Sequence, residues 1–268
     1  MTSFISVVQG FAAYIQSLLP TLGKGLVITL KLFVWTLMLS LPLGLIVSLI
    51  REGVSVKSAD RGFVRIIKAP VRYLINLYLL VFRGTPLMLQ LFFFYFGLPF
   101  IQLPAAIAPA LEFLHITIRE SVVAQGSICI VPDAFTAAVV AFTFNYAAYF
   151  AEIFRGGIIG VNKGQYEASK ALGLGGVQTM AYIIVPQMMR TVIPPIANET
   201  IVLVKDTALA YSISLVDLMT AAKQNMNKTM RVDALIIAAV VYLMITLLLT
   251  LVFNMLEKRL SISVEGTR

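Results

Sequence analysis

The sequence contains one cysteine and one histidine among its 268 residues. Cys129 alone cannot form an internal disulfide, and His115 alone cannot build a metal cluster, so redox and zinc chemistry have almost no support. The G-x-x-x-x-G-K-S/T, H-E-x-x-H and G-x-S-x-G motifs are also missing. The sequence therefore offers no catalytic residue and no metal site, and any ATP that drives the protein must be bound by another chain.

Charge is scarce as well, at 13% of the residues, whereas 59% are hydrophobic. A mean hydropathy of +0.90 is typical of an all-α membrane protein that crosses the bilayer several times. At roughly 20 residues per crossing plus loops, the chain has room for about five spans. The net charge of +8 is the excess of Lys and Arg that loops on the cytoplasmic side of membrane proteins carry, so we expect no nucleic acid partner.

Long apolar segments separated by charged or polar stretches predict where the chain crosses the membrane. Six basic side chains against two acidic ones place residues 51–72 on the cytoplasmic side. The polar stretch 103–133 is predicted to be an external loop, and 156–186 a cytoplasmic loop. An even number of spans must then separate the two cytoplasmic stretches. The predicted spans are 22–50, 73–101, 135–155, 187–212 and 234–254.

Residues 167–186, EASKALGLGGVQTMAYIIVP, are the most informative stretch. Good helix formers predict a short helix over 167–172, which Gly173 and the glycines after it end. A second short helix is predicted over 177–185, with Pro186 beginning the next long segment. The prediction is a helix-turn-helix between two membrane crossings.

This spacing resembles the EAA loop of ABC importer permeases, which reads Glu-Ala-Ala, three residues, Gly, nine residues, Ile, one residue, Leu-Pro. The alternative is a loop that merely connects two helices. In such permeases the loop is where the ATPase subunit docks, so the resemblance implies a coupling role. Five residues fall in register, and two depart mildly: Glu167, Ala168, Gly173, Ile183 and Pro186, then Ser169 and Val185.

Three further stretches are similar to the polar amino acid branch of these permeases. They read FRGTPLMLQLFFFYFGLP at 82–99, NYAAYFAEIFRGGI at 145–158 and NETIVLVKDTAL at 198–209. The resemblance implies the five-span type I importer core, with the N-terminus outside and the C-terminus inside. The external stretch 103–133 is longer than in that branch, and either contacts a binding protein or is an inert addition.

The resemblance also implies the partners. Two permease chains, identical or related, pair around a shared pathway in the bacterial cytoplasmic (inner) membrane and contact its lipid. Two ATP-binding-cassette subunits dock on the coupling loops, and an extracytoplasmic binding protein delivers the amino acid. This chain is expected to bind no cofactor, because ATP and Mg belong to the ATPase subunits.

Ionisable residues inside a span are costly unless paired or wetted, so each is a candidate for the substrate pathway. Glu199, beside Asn198, lies near the middle of the fourth predicted span. It either contacts substrate or forms a structural pair with a basic residue such as Arg83, itself a candidate gate or anchor. Lys205 and Asp206 are about 100° apart on a helix and cannot both face one cavity squarely.

A second set of candidates lies on the third predicted span. Asn145, Tyr149 and Glu152 recur at spacings of four and three, which places them on one helix face. Gln90 on the second span is expected to join this polar face. Glu152 and Arg155 are three residues apart and form either an ion pair or an inner-gate contact.

Three other functions compete with the amino acid importer. A stand-alone channel or secondary transporter predicts inverted repeats or paired broken helices, and the sequence shows neither. An intramembrane enzyme needs a catalytic set that the sequence lacks. An importer for another small solute would share the coupling loop, because only the second group of motifs points to amino acids.

We expect Glu167→Lys to abolish transport while the chain still accumulates in the membrane, because the change falls on the coupling loop and not on a span. Uptake by cells and the amount of chain in isolated membranes measure the two effects. Glu257→Lys, the same charge change outside the loop, is the control. Normal uptake by the Glu167→Lys chain would rule out the coupling role.

Overall fold

The chain is largely helical in the computed structural model, which describes residues 2–53, 62–104, 106, 118–120 and 127–265. Short π-helical turns follow α3 and α6, and a 3-10 segment, Thr207–Ile213, follows α7. The helices are α1 Thr2–Gly53, α2 Gly62–Gly84, α3 Leu87–Phe92, α4 Ala134–Gly160, α5 Lys163–Ala171, α6 Gly176–Thr179, α7 Val185–Asp206, α8 Leu218–Thr229 and α9 Asp233–Glu265.

Three helices in the described part are long and apolar enough to cross a membrane, namely Gln16–Gly53, Ala134–Gly160 and Asp233–Arg259. They contain the predicted spans 22–50, 135–155 and 234–254. The predicted span 187–212 coincides with α7 and the 3-10 segment after it. Pro194, Pro195 and the charged residues of α7 make it less apolar than the other three. The count of five spans therefore stays a prediction.

The predicted span 73–101 is broken. α2 ends at Gly84, α3 begins at Leu87, and the two helical segments Lys68–Gly84 and Leu87–Phe100 meet at 107°. Pro86 explains the position, because it has no N–H for the helix of α2 and fits the first turn of a new helix. The sequence analysis expected a slanted segment that straightens after Pro86, and the observed bend is much sharper.

A small antiparallel sheet corrects the expectation of an all-α protein. Strands β1 Leu103–Pro104, β2 Ile118–Glu120 and β3 Ser127–Ile130 pair in the order β1-β3-β2. The β-branched residues Ile128 and Ile130, at alternating positions of β3, and Ile118 in β2 favour extended structure. The rest of the predicted external loop, apart from residues 106 and 131–133, lies outside the described residues.

Asp133 caps the N-terminus of α4. Its carboxylate accepts hydrogen bonds from the backbone N–H groups of Phe135, at 2.9 Å, and Thr136, at 3.1 Å. Burial by itself would raise the pKa of this carboxyl group, but the hydrogen bonds from Thr136 and Phe135 outweigh it and lower the pKa. These hydrogen bonds fix the start of α4 at Ala134, one residue before the predicted span 135–155.

The chain divides into two compact units, each built from three separate stretches. The first unit comprises Met1–Trp35, Leu91–Val139 and Val204–Leu247; the second comprises Thr36–Gln90, Val140–Leu203 and Leu248–Arg268.

In the first unit, α8 packs against α1 and α9 through small and aliphatic side chains. A Cβ on Gly25 would lie 2.7 Å from the carbonyl oxygen of Asp217, so only glycine allows this approach. The Thr29 hydroxyl accepts a hydrogen bond from the N–H of Leu218 at 3.1 Å. The buried residues of this cluster are Leu18, Leu22, Leu218, Ala221, Ala222, Ala234 and Ala238.

In the second unit, α1 and α4 approach each other to backbone contact. A Cβ on Gly44 would lie 2.8 Å from the Cβ of Phe150 and 2.9 Å from the carbonyl oxygen of Ala147. Small residues at helix interfaces are the usual means of close packing in membranes, where lipid supplies no hydrophobic driving force. The close packing of α4 against α1 thus depends on the absence of a side chain at Gly44.

We expect Gly44→Ala to lower the stability of the chain by about 1–3 kcal/mol, because the added methyl group overpacks this contact. Gly23→Ala in the same helix is the matched control, since nothing lies within 4 Å of its Cβ position. There we expect a gain of up to about 1 kcal/mol from helix propensity. Thermal unfolding in detergent measures both, and an equal effect of the two changes would contradict the contact.

Candidate functional site

The loop resembling the EAA motif folds as two short helices joined by a tight turn. α5 is capped by Asn162, whose side-chain oxygen accepts a hydrogen bond from the N–H of Gly164 at 2.8 Å. The helix ends at Gly173, which has a φ of +75°. Residues with a Cβ avoid this conformation, so the glycine of the motif is explained by the turn.

The two helices of the loop are joined by hydrogen bonds between buried hydroxyls. Thr179 Oγ1 donates to Ser169 Oγ at 3.0 Å, and Ser169 Oγ donates to the carbonyl oxygen of Tyr166 at 2.8 Å. Ser169 is one of the residues of the predicted coupling motif, but its side chain is fully buried. Its place in the structure is inside the loop, where it holds α5 and α6 together.

The outer surface of the loop carries large apolar side chains beside exposed Glu167 and Ala168. Leu172 is 76% exposed, Val177 84% and Tyr182 75%. Three large apolar side chains of one short, polar segment are thus left on the surface of the chain. The remaining motif residues differ in exposure, with Pro186 exposed and Ile183 half-buried.

The loop is anchored to the long helices on both sides. The Tyr166 hydroxyl donates to the carbonyl oxygen of Ile158 in α4 at 3.3 Å, and burial together with the Glu52 carboxylate raises the pKa of Tyr166. A Cβ on Gly157 would collide with Val192 of α7. α6 continues through the π-helical turn Met180–Ile184 into α7, so the helix does not begin anew at Pro186 as predicted. The loop is therefore attached to α4 through Tyr166 and is continuous with α7.

The helix break at residues 83–86 is stabilised by two side-chain amides. Gln90 Nε2 donates to the carbonyl oxygens of Phe82, at 3.0 Å, and Thr85, at 3.1 Å, and to Thr85 Oγ1 at 2.9 Å. Asn145 Nδ2 donates to the carbonyl oxygen of Phe82 at 2.8 Å and to Gln90 Oε1 at 3.1 Å. Gln90 thus joins the polar face of α4, and both amides are used to satisfy the backbone of the break.

A cluster of charge lies beside the break. Glu152 Oε1 lies 2.5 Å from Arg51 Nη1 and 3.4 Å from Arg83 Nη1, and Glu152 Oε2 lies 2.7 Å from Arg155 Nε. The guanidinium carbon of Arg83 is also 5.5 Å from the centre of the Tyr149 ring. We call Glu152 and these three arginines the arginine cluster.

The structure therefore assembles five of the predicted pathway residues in one place, namely Arg83, Gln90, Asn145, Tyr149 and Glu152. The ion-pair partner that it gives Arg83 is Glu152, not Glu199. Arg51 was missed by the sequence analysis, because a pair separated by 101 residues leaves no local spacing to recognise. The other candidates lie on α7, where Asn198 and Lys205 are exposed and Glu199 and Asp206 are half-buried.

Comparison with known families places the chain in a class. The family of binding-protein-dependent transport system inner membrane components matches residues 41–262. The chain belongs to this family.

Individual proteins of similar sequence support the same family assignment. The chain is 36% identical over 251 residues to the arginine transport system permease protein ArtQ of Bacillus subtilis (strain 168), a match covering 93% of this chain and 96% of that protein. It is 32% identical over 246 residues to the glutamine transport system permease protein GlnP of Escherichia coli (strain K12), covering 91% and 94%.

Solved structures extend the comparison to the fold. An amino acid ABC transporter with histidines matches with a TM-score of 0.68 and 29% identity, covering 96% of this chain and 98% of that chain. The inward-facing MetNI methionine transporter matches in fold, with a TM-score of 0.61 at 15% identity, covering 92% and 98%. The chain is thus the permease component of an amino acid ABC importer, and ATP hydrolysis belongs to separate subunits, as the resemblance implied.

We expect Glu152→Gln to destabilise the chain, because three guanidiniums then lose their shared carboxylate. Removing one partner of a buried ion pair costs about 3–5 kcal/mol, and the partial exposure of this cluster reduces the loss to about 2 kcal/mol. Thermal unfolding in detergent measures it. The double variant Glu152→Gln/Arg83→Gln should recover part of the loss, since one of the repelling charges is gone. A double variant less stable than the single one would show that charge repulsion is not the cause.

Proposed function

We propose that this chain crosses the membrane five times, pairs with a second permease chain, identical or related, and moves a polar amino acid into the cell by alternating access. The proposed topology has the N-terminus outside and the C-terminus inside, in the cytoplasmic membrane of a bacterium. The three apolar helices, the broken segment and α7 supply the five crossings. The basic stretch 51–72 and the coupling loop then lie on the same, cytoplasmic side.

The observation that carries the proposal is the coupling loop's outer surface. Leu172, Val177 and Tyr182 are more than 70% exposed beside the Glu167 carboxylate. An apolar surface with one anionic group fits a groove of an ATP-binding-cassette subunit, one such subunit for each of two permease chains. Because Tyr166 holds the loop against α4 and α6 runs on into α7, closure of the two ATPases on ATP would reorient these helices and turn the pathway outward.

The proposed pathway runs beside the broken segment. Discontinuous helices near the membrane midplane are a recurrent means of forming transport sites. The proposed lining comprises Arg83, Tyr149 and Glu152, with Glu199 of α7 as a further candidate. An extracytoplasmic binding protein would deliver the amino acid, which is in keeping with a family described as binding-protein-dependent.

The test is to tag the chain, extract it gently from its native membrane and identify the proteins that accompany it. We expect an ATP-binding-cassette subunit to co-purify with the unmodified chain and to be lost from Gly173→Asp, because the new side chain strains the turn at φ +75° and adds charge to the docking surface. Gly176→Asp, in the same loop without a positive φ, is the control for added charge alone.

The isolated complex, inserted in vesicles with its binding protein, is then tested with each of the twenty amino acids. ATP-dependent accumulation of a polar amino acid is expected. If no ATPase accompanies the chain in several detergents, or if the reconstituted complex accumulates none of the twenty, the proposed assembly and substrate are wrong.

A further inference from the structure

The arginine cluster contains more positive than negative charge. Three guanidiniums surround Glu152, the carboxylate that the described part of the chain brings within 4 Å of them. Like charges that lie this close repel one another, and an added anion relieves the repulsion. A cluster with two uncompensated positive charges is therefore a site at which a further anion is favoured.

Arg83 is the least satisfied of the three arginines. Arg51 and Arg155 make hydrogen bonds to Glu152 at 2.5 and 2.7 Å, the lengths expected between charged groups. Arg83 approaches the oxygen that Arg51 already occupies, and its 3.4 Å separation is an ion pair without a hydrogen bond. Its side chain is 41% exposed, against 23% for Arg51. Within the part of the chain that the structure describes, its guanidinium thus keeps its hydrogen-bond donors available.

The position of Arg83 is fixed although its donors are not used. The preceding carbonyl oxygen, on Phe82, accepts hydrogen bonds from both Asn145 and Gln90. The Tyr149 ring lies 5.5 Å from the guanidinium carbon and holds it by a cation–π contact. A guanidinium held in this way offers two parallel N–H groups, the geometry that a carboxylate accepts.

We propose that Arg83 binds the α-carboxylate of the transported amino acid, at the helix break and beside the Tyr149 ring. The assignment rests on the proposed function, because it places an amino acid in the pathway of this chain. Arg83 exchanges its weak contact with Glu152 for a bidentate contact with the α-carboxylate, and Arg51 and Arg155 keep Glu152 paired. A free amino acid binds here, and a ligand that lacks the carboxylate does not.

The experiment measures binding to the permease–ATPase complex in lipid nanodiscs, without the binding protein, so that the carboxylate is recognised by the membrane complex alone. Tritiated L-arginine, L-glutamine and L-glutamate are the probes, and the α-carboxamide of each is the competitor. In the unmodified complex we expect the acid to compete at least about 10-fold better than the amide, as one charge-assisted hydrogen bond requires.

In Arg83→Gln the affinity for the acid should fall by about 10- to 100-fold, and the preference over the amide should disappear. Arg83→Lys, which keeps the charge and loses the bidentate geometry, should retain part of the preference. Arg72→Gln, an exposed arginine on the same helix, should change neither value. A purely structural role for Arg83 would lower all affinities without changing the acid-to-amide ratio.

The outcomes separate this proposal from the proposed function. An unchanged acid-to-amide ratio in Arg83→Gln overturns the carboxylate assignment, even if the complex still transports amino acids. The Arg83→Gln chain could instead fail to pair with the second permease, while Arg83→Lys keeps the acid-to-amide ratio of the unmodified complex. That result would show that Arg83 serves the permease interface, and it would also overturn the carboxylate assignment. Absence of ATP-dependent uptake by the unmodified complex fails the proposed function itself.

Discussion

The structure around the helix break at residues 83–86 depends on one constraint, which is that a helix interrupted within a membrane must satisfy its own backbone. At the break after Gly84 this requirement is met by the amides of Gln90 and Asn145, which between them engage the carbonyl oxygens of Phe82 and Thr85. Without them, two carbonyl groups would lack partners, at a cost of several kcal/mol each in lipid. Because the amides come from α3 and α4, satisfying the break also fixes both helices relative to α2. Hydrogen bonds at the break therefore connect α2, α3 and α4, and Arg83 lies directly beside them.

The coupling loop follows the same principle on a smaller scale. Its polar groups are used within the loop, through the Ser169–Thr179 hydrogen bond and the Gly173 turn, whereas its large apolar side chains are left outside. This is the reverse of a free-standing peptide, which would bury its apolar groups first. The exposed apolar side chains, Leu172, Val177 and Tyr182, are the surface that the proposed ATPase subunit would cover.

Sequence reasoning succeeded where the pattern is local. The glycine that ends the first short helix follows from 167–173 alone, and the shared face of Asn145, Tyr149 and Glu152 follows from helical spacing. It failed where the deciding contacts join distant parts of the chain. Arg51 meets Glu152 across 101 residues, and no periodicity records such a pair. The burial of Ser169 was missed for the same reason, because its partner Thr179 lies beyond the turn. Pro86 predicted a break in the helix, but a proline alone does not set the 107° angle between the two helical segments.

The length of α1 has a consequence for where its residues lie. It runs for 52 residues, about 78 Å at 1.5 Å per residue, whereas the hydrocarbon core of a bilayer is about 30 Å thick and the whole membrane about 40–45 Å. No tilt within the usual range places so long a helix entirely in lipid. A third or more of α1 must therefore lie in headgroups or water, so identical leucines along one unbroken helix are solvated by different media, and replacing them by polar residues would carry very different penalties.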